Sequence, residues 1–217
     1  MLRAASLLSV PHAFTAREHG DQRLPGPNAH LLAALGLSGP YFAAHQVHGP
    51  RVVAAPFAGG VLPSADAVIT TTPGHVVAVR VADCVPVLLA GPGVVAAVHA
   101  GWRGTAADVV RAAVAATCEA GGCAPRDLRA AIGPSIRGCC YEVGKEVIDG
   151  VGAVAPGADW VDGRRVDLAV ANAGILASLG VAVDVVGPCT RCDHAYWSFR
   201  RDKELAGRQV GAIGLPA

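Results

Sequence analysis

The 217-residue chain lacks a surplus of charge: 18 Lys and Arg stand against 17 Asp and Glu, for a formal net charge of +1. Without a basic or acidic excess it has no field with which to grip a phosphate backbone or an anionic bilayer, so nucleic acid and membrane partners are not expected. Long hydrophobic runs are also missing. The longest uncharged apolar stretch, 84–98, is broken by Pro86, Gly91, Pro92 and Gly93 and is too short to cross a bilayer as a helix. Residues 1–10 carry one arginine and a weakly apolar set interrupted by Ser6 and Ser9, with no small-residue cleavage pattern before Pro11, which reads against a secretory signal and predicts a cytoplasmic protein. Lysine is nearly absent, with only Lys145 and Lys203, a composition effect carrying no functional content. No repeat and no low-complexity tract divides the chain.

What remains is core-forming: 52% hydrophobic and 16% charged residues predict one compact domain, 1–217, and exclude disorder. Seven cysteines, an odd number without the spacing of a small secreted scaffold, predict reduced thiols.

Short β-branched segments punctuated by Gly or Pro predict strands at 52–55, 67–71, 76–81, 85–90 and 94–98. Thr105 to Asp108 has capping-box spacing, with Val109, Val110, Ala113 and Val114 as the apolar stripe of a helix that Gly121 and Gly122 can end. Further helices are predicted at 142–148 and 167–179, and strands at 181–186 and 209–213. Near the start, Pro25, Gly26 and Pro27 form a turn, and Asn28 caps a short helix through Leu35 that ends at Gly36. Because strands cluster before helices alternate with them, the fold class is α+β, a mixed β-sheet packed against helices.

Three ligand-type side chains fall at element boundaries, where turns present side chains outward: His48 in Gln46-Val47-His48-Gly49, Cys84 in Ala82-Asp83-Cys84-Val85-Pro86, and His99 at the start of His99-Ala100-Gly101-Trp102-Arg103-Gly104. Taken singly, Cys84 reads as an inert core thiol and each histidine as a hydrogen-bonded structural residue. Together they offer two His and one Cys, a set that leaves tetrahedral Zn2+ one open position, as catalytic sites do. Copper fits less well, because the single methionine is Met1 and no His-x-His pair occurs among the eight histidines. A second set competes: Cys189-Thr190-Arg191-Cys192, joined by Cys139 and Cys140, would complete a structural four-thiolate zinc site if folding brought them together, although adjacent cysteines rarely share one metal. Arg103 beside a helix start, and Arg200 and Arg201 after Ser198, could meet an anion; for the latter pair a solvated charged turn is an equal reading.

These segments, with Ala65-Asp66-Ala67-Val68-Ile69-Thr70, Ile132-Gly133-Pro134-Ser135-Ile136, Cys140-Tyr141-Glu142-Val143-Gly144 and Ser198-Phe199-Arg200-Arg201, resemble in order the YfiH family, also called the laccase-domain or polyphenol-oxidase family, over residues 45–213. The resemblance implies a single α+β domain and zinc on His48, Cys84 and His99. It also implies purine nucleoside phosphorylase activity on adenosine, inosine and methylthioadenosine, with adenosine deaminase activity besides. Bacterial relatives are further linked to peptidoglycan editing, the removal of a misincorporated Ser, and the older oxidase name implies copper. His12 to Arg17 resembles the family's usual opening and directs Arg17 toward the substrate, but the segment that follows, Glu18 to Gly26, is shortened.

Two mechanisms follow. In a zinc nucleoside enzyme, the metal at His48, Cys84 and His99 activates water for deamination, while Arg103, aided by Arg200, holds phosphate for phosphorolysis. Asp83 is a candidate acid or a residue that orients a ligand, and equally a turn cap. In a cysteine amidase acting on a muropeptide, Cys84 is instead a thiolate nucleophile activated by His99 or His48. Oligomeric state is open.

Overall fold

The strands at 67–70, 76–81, 85–91 and 94–100 carry only Thr70, Arg80 and His99 as polar side chains, and a strand that is apolar on both faces must be covered on both. The computed structural model, which describes residues 1–7, 9–23, 29–36, 39–56 and 63–216, meets that need with two sheets stacked face to face and helices on both outer sides.

The strands are β1 (His12–Phe14), β2 (Tyr41–Phe42), β3 (Val52–Ala54), β4 (Ala67–Thr70), β5 (Val76–Val81), β6 (Val85–Gly91), β7 (Val94–Ala100), β8 (Arg129–Ile132), β9 (Val161–Asp162), β10 (Arg165–Val166), β11 (Ala182–Val185) and β12 (Gln209–Gly214). The helices are α1 (Ala29–Leu35), α2 (Trp102–Ala106), α3 (Val109–Gly121), α4 (Lys145–Gly152), α5 (Leu168–Ser178) and α6 (Phe199–Asp202). One sheet runs β11-β8-β6-β7-β4-β3, antiparallel in the middle with a parallel strand at each end. The second large sheet runs β1-β12-β5-β2, where only β2 pairs in parallel, and β9 and β10 form a small antiparallel pair of their own. Both large sheets are mixed, as the α+β reading expects.

Strand alternation divides the core. In β6, Val85, Val87 and Leu89 face α3 and α5, whereas Leu88 and Ala90 face the second sheet. In β7, Ala96, Val98 and Ala100 face the helices and Val95 and Ala97 the other sheet, so parity turns His99 toward the space between the sheets. Leu31 and Leu35 of α1 cover Val76, Ala78, Val210 and Ala212 on the far side. Because β5 belongs to one sheet and β6 to the other, the turn Ala82–Cys84 crosses between them at one end of the sandwich.

Strands 76–81, 85–90 and 94–98 lie where expected, give or take terminal residues, and the 142–148 helix is displaced toward the C-terminus, at 145–152. The capping box at Thr105 does not form. Thr105 lies inside α2 with its buried hydroxyl bonded to Asn172, and α3 begins after Asp108, whose left-handed φ of 63° turns the chain sharply between the helices. Gly122, at φ 59°, ends α3 as expected, its N–H donating to the Cys118 and Glu119 carbonyls. Asp167 caps α5 by accepting from the N–H groups of Ala169 and Val170. The predicted turn at Pro25 to Pro27 and the Asn28 cap lie outside the described residues.

Candidate active site

The organising residue of the site is Asp66, just before β4. Its buried carboxylate accepts N–H bonds from Val47 at 3.1 Å, His48 at 2.9 Å and Gly49 at 2.8 Å, and a fourth bond, at 2.8 Å, from His99 Nδ1. Burial alone would raise its pKa; the His99 bond and charge and the loop N–H groups together hold it below the ordinary carboxylate value. An ionised carboxylate only accepts, so Nδ1 of His99 carries the proton and Nε2 is left free to face the site.

The same contacts fold the loop that carries His48. That residue sits at a left-handed φ of 61°, a conformation costly for a side chain with a Cβ, and the Asp66 bonds hold it there. Gln46 secures the loop from the other side, its amide bonding the N–H and C=O of Arg80 on β5 at 2.8 Å each. Cys84 follows Asp83, itself at φ 80°. Its Sγ lies 4.0 Å from His48 Nε2, and the His48 and His99 rings meet edge-on, 4.8 Å apart. One ligand atom from each of His48, Cys84 and His99 lies within 4.8 Å of the others.

Gly101 makes this convergence possible. It lies one residue beyond the Val85–Ala100 pair that ends the β6–β7 ladder, and a Cβ there would come within 3.0 Å of both Cys84 Sγ and His48 Cδ2.

Electrostatics match the geometry. Burial would push the Cys84 thiol up, but the charge of His99 and hydrogen bonds from His48 and His99 bring it down to about 6. Burial would lower His99, but the Cys84 thiolate and the Asp66 carboxylate raise it to about 9. In the absence of a metal the pair is therefore thiolate and imidazolium at neutral pH.

The three side chains open into a cleft of about 600 Å³. Arg23, Arg80, Arg103, Arg200, Lys203 and Arg208 line it, and Asp83 is the only acid among the described residues of its wall. Six cations against one acid give the cleft a local positive excess in a chain with almost no net charge. The Arg103 guanidinium lies 4.4 Å from the Trp102 ring centre, and Arg200 lies over Tyr141 while bonding the Glu142 carbonyl at 3.0 Å. Burial, with the neighbouring Cys84 charge, pushes the Tyr141 hydroxyl up to about 12, so it keeps its proton.

Asp83, although in the wall, is engaged in hydrogen bonds, and Arg17 stands apart from the cleft. Asp83 accepts from the Thr190 hydroxyl at 2.7 Å and the Arg200 N–H at 2.6 Å, tying the Cys84 turn to the start of α6. Arg17 is not in the wall of the cleft: it packs 4.1 Å from the Trp197 ring centre and pairs with Asp202 at 2.7 Å. Asp202 also pairs with Arg201, whose guanidinium is otherwise occupied by loop carbonyls. Sequence reasoning assigned no role to Asp66, Gln46, Arg80, Tyr141 or Arg208. Only Asp66 carried a signal, as a carboxylate directly before the apolar run Ala67-Val68-Ile69.

An α+β sandwich with two histidines and a cysteine converging at the head of a cationic cleft defines a class of protein suited to a metal with an open coordination position. The chain belongs to the family described as multi-copper polyphenol oxidoreductase laccase, which it matches over residues 18–216. A relative from Deinococcus radiodurans named purine nucleoside phosphorylase is 40% identical over 242 aligned positions, covering 100% of this chain and 93% of its own length. A protein named adenosine deaminase RL5, from an unknown prokaryotic organism, is 37% identical over 165 positions, 70% of this chain and 63% of its own. Among solved structures, YlmD from Geobacillus stearothermophilus superposes with a TM-score of 0.86 at 28% identity, covering 99% of this chain and 94% of that one. The Bacillus licheniformis protein YfiH superposes at 0.83 with 26% identity, over 95% and 93%. The family resemblance read from the motifs and the α+β fold are both borne out.

Proposed function

We propose that the chain is a zinc-dependent purine nucleoside phosphorylase that also deaminates adenosine, acting on adenosine, inosine and methylthioadenosine. The observation that carries this reading is the meeting of His48, Cys84 and His99 at the head of a cleft whose charged wall residues are all Arg or Lys apart from Asp83. The relatives named purine nucleoside phosphorylase and adenosine deaminase support it.

The donor set fits zinc. Two imidazoles and a thiolate suit that ion, Asp66 orients His99 from behind, and Gly101 leaves the space a Cβ would fill. The lone methionine, Met1, is in the wall of neither the cleft nor the cluster, which argues against a blue-copper centre. When bound, zinc would supply Lewis acidity that brings the pKa of water toward neutrality.

The residues of the chain divide the remaining work. Arg103 and Arg200 bind phosphate and aim one of its oxygens at C1′ of the ribose. As that C–O bond forms, the C1′–N9 bond breaks and its electron pair passes to the purine, which takes up a proton. Tyr141, protonated at neutral pH, offers its O–H to the substrate. Asp83 acts as a positioning residue, fixing the turn of Cys84 and the backbone of Arg200 together. Deamination uses the same site without phosphate: water adds at C6, its hydroxyl bonding the carbon and its proton passing to the amino group, and the C6–N bond breaks to release ammonia.

A second reading rests on the thiolate–imidazolium pair. With Asp66 behind His99 and His99 beside Cys84, the metal-free cluster has the logic of a cysteine amidase, and a muropeptide carrying a misplaced Ser would be its substrate. Chelation separates the two, since it silences a zinc enzyme and spares a nucleophilic cysteine, which iodoacetamide would trap.

The test is to incubate the zinc-loaded chain with adenosine, with and without phosphate, and resolve the products by chromatography and mass spectrometry, with Cys84→Ala as control. Adenine and ribose 1-phosphate, formed only with phosphate and the wild-type chain, are expected, with inosine as the deamination product. Unchanged adenosine under all conditions would reject this function.

A further inference from the structure

Four of the six cysteines left over by the active site also converge. We infer that Cys139, Cys140, Cys189 and Cys192 hold a second metal ion, a soft d10 cation of the zinc class, in a closed four-thiolate site.

Their Sγ atoms all lie within 4.8 Å of one another, although two come from a turn after β8 and two from a loop after β11, about fifty residues on. Cys139 Sγ is 3.8 Å and Cys140 Sγ 3.3 Å from Cys192 Sγ. A tetrahedral ion with metal–sulfur bonds of about 2.3 Å sets its sulfurs about 3.8 Å apart. All four thiols are free, and the shortest of these separations is well beyond a disulfide bond of about 2.05 Å. Thiols make only weak hydrogen bonds, so the cluster has little to hold it together until an ion replaces the protons.

Both turns are shaped for ligation. The N–H groups of Cys140 and Tyr141 both close on the Arg137 carbonyl, at 2.9 and 3.0 Å, a tight turn that lets neighbouring cysteines reach one point. Across the Cys-x-x-Cys, the N–H groups of Cys192 and Asp193 close on the Cys189 carbonyl, at 3.1 and 2.9 Å. The Arg137 N–H donates to Cys189 Sγ at 3.4 Å, a bond that favours the thiolate. Arg201 adds a positive charge to the back of this turn, donating to the Thr190 and Arg191 carbonyls. As the ion binds, the four thiols release their protons to solvent, leaving one ion among four thiolates.

None of the four cysteines lines the cleft, so protein would fill every coordination position and the ion would be structural. Its place explains its use. The first turn leads directly to Tyr141, and the second holds Thr190 on Asp83 and runs on to Arg200, so one ion clamps two walls of the cleft behind the active site.

The test uses cobalt(II) as a spectroscopic probe on the reduced, metal-free full chain carrying Cys84→Ala, which removes the only thiolate of the first site. One equivalent is expected to bind with intense visible d–d bands and near-ultraviolet sulfur-to-cobalt charge transfer, the signature of tetrahedral thiolate ligation, and to be lost when Cys139→Ser and Cys192→Ser are added. Native mass spectrometry of the zinc-loaded wild type is expected to show two ions per chain. Absence of the four-thiolate bands in Cys84→Ala would overturn the inference. So would a wild-type chain with at most one zinc and two of the four cysteines joined as a disulfide. Should the added serine substitutions prevent folding, the Cys84→Ala spectrum and the wild-type mass still decide. Neither readout depends on nucleoside turnover.

Discussion

The two candidate metal clusters of this chain are linked by the hydrogen bond from Thr190, next to Cys189, to Asp83, next to Cys84, and they differ in almost every physical respect. The cluster of His48, Cys84 and His99 has three ligand atoms, a buried carboxylate behind one of them, two neighbouring residues at left-handed φ, and an opening onto a cationic cleft. The cluster of Cys139, Cys140, Cys189 and Cys192 has four sulfurs, two ordinary tight turns and no face on the cleft. Strain and incomplete coordination mark the place where chemistry is done, and a complete, relaxed ligand set marks a clamp.

The sharpest way to break that contrast is to remove one thiolate from each cluster. Cys84→Ala should lower nucleoside turnover by about 10³-fold, since several kcal/mol of charge stabilisation goes with the metal. Its thermal midpoint should stay near wild type in melts followed by circular dichroism. Cys139→Ser should do the reverse, lowering the midpoint and making it insensitive to chelator. If both variants lost activity alone, or stability alone, the distinction would collapse.

A smaller effect is expected behind the ligands. Asp66→Asn keeps the shape but loses the charge that holds His99, and should weaken zinc binding about 10- to 100-fold in competition with a chromophoric chelator. The pH dependence has a definite sign. The folded carboxyl has a pKa below the unfolded value of 3.8, so its contribution to stability is fully present above that value and is lost as pH falls through the folded pKa. The stability gap between wild type and Asp66→Asn should close in acid, and in the metal-free chain it should also shrink as pH rises from about 6.5 through about 9, where His99, raised in part by Asp66, loses its proton.

Within the cleft, Arg103→Met should raise KM for phosphate about tenfold while leaving deamination, which uses no phosphate, near its original rate. Equal loss in both reactions would mean that Arg103 holds the nucleoside.

The smallest effect concerns the thiol itself. In the metal-free chain, alkylation of Cys84 by iodoacetamide should be half-maximal near pH 6, where its pKa lies, and zinc should protect it. At pH 7 the gain in thiolate over an ordinary thiol is about hundredfold, offset by a roughly 20-fold loss of nucleophilicity, so Cys84 should react only a few-fold faster. A midpoint near 9 would contradict the thiolate–imidazolium pair.

Much of this was legible from the sequence because the ligands of the first site stand where strands end. His48, Cys84 and His99 each follow or precede a turn, and the long apolar strands β5, β6 and β7 are unmistakable in period and composition. The division into two sheets was not legible, since the three-residue turn after β5 looks like any hairpin turn and only tertiary pairing sends β6 into another sheet. Strand β8, Arg-Ala-Ala-Ile, has one β-branched residue, and it forms because β6 and β11 flank it. The Thr105 capping box misled because local spacing also permits a buried threonine that bonds Asn172, 67 residues away. Arg80 and Arg208 reach the cleft from strand β5 and from just before β12, positions with no local mark of a site.

The central claim, that an open zinc cluster in a cationic cleft cleaves purine nucleosides, is tested most directly by following adenosine phosphorolysis while zinc is returned to the metal-free, reduced chain. Adenine release should be absent without zinc, appear as the ion is restored, require phosphate throughout, and stay about 10³-fold lower in Cys84→Ala at every zinc level. Turnover in the metal-free chain that zinc leaves unchanged, or no turnover at any zinc level, would contradict it.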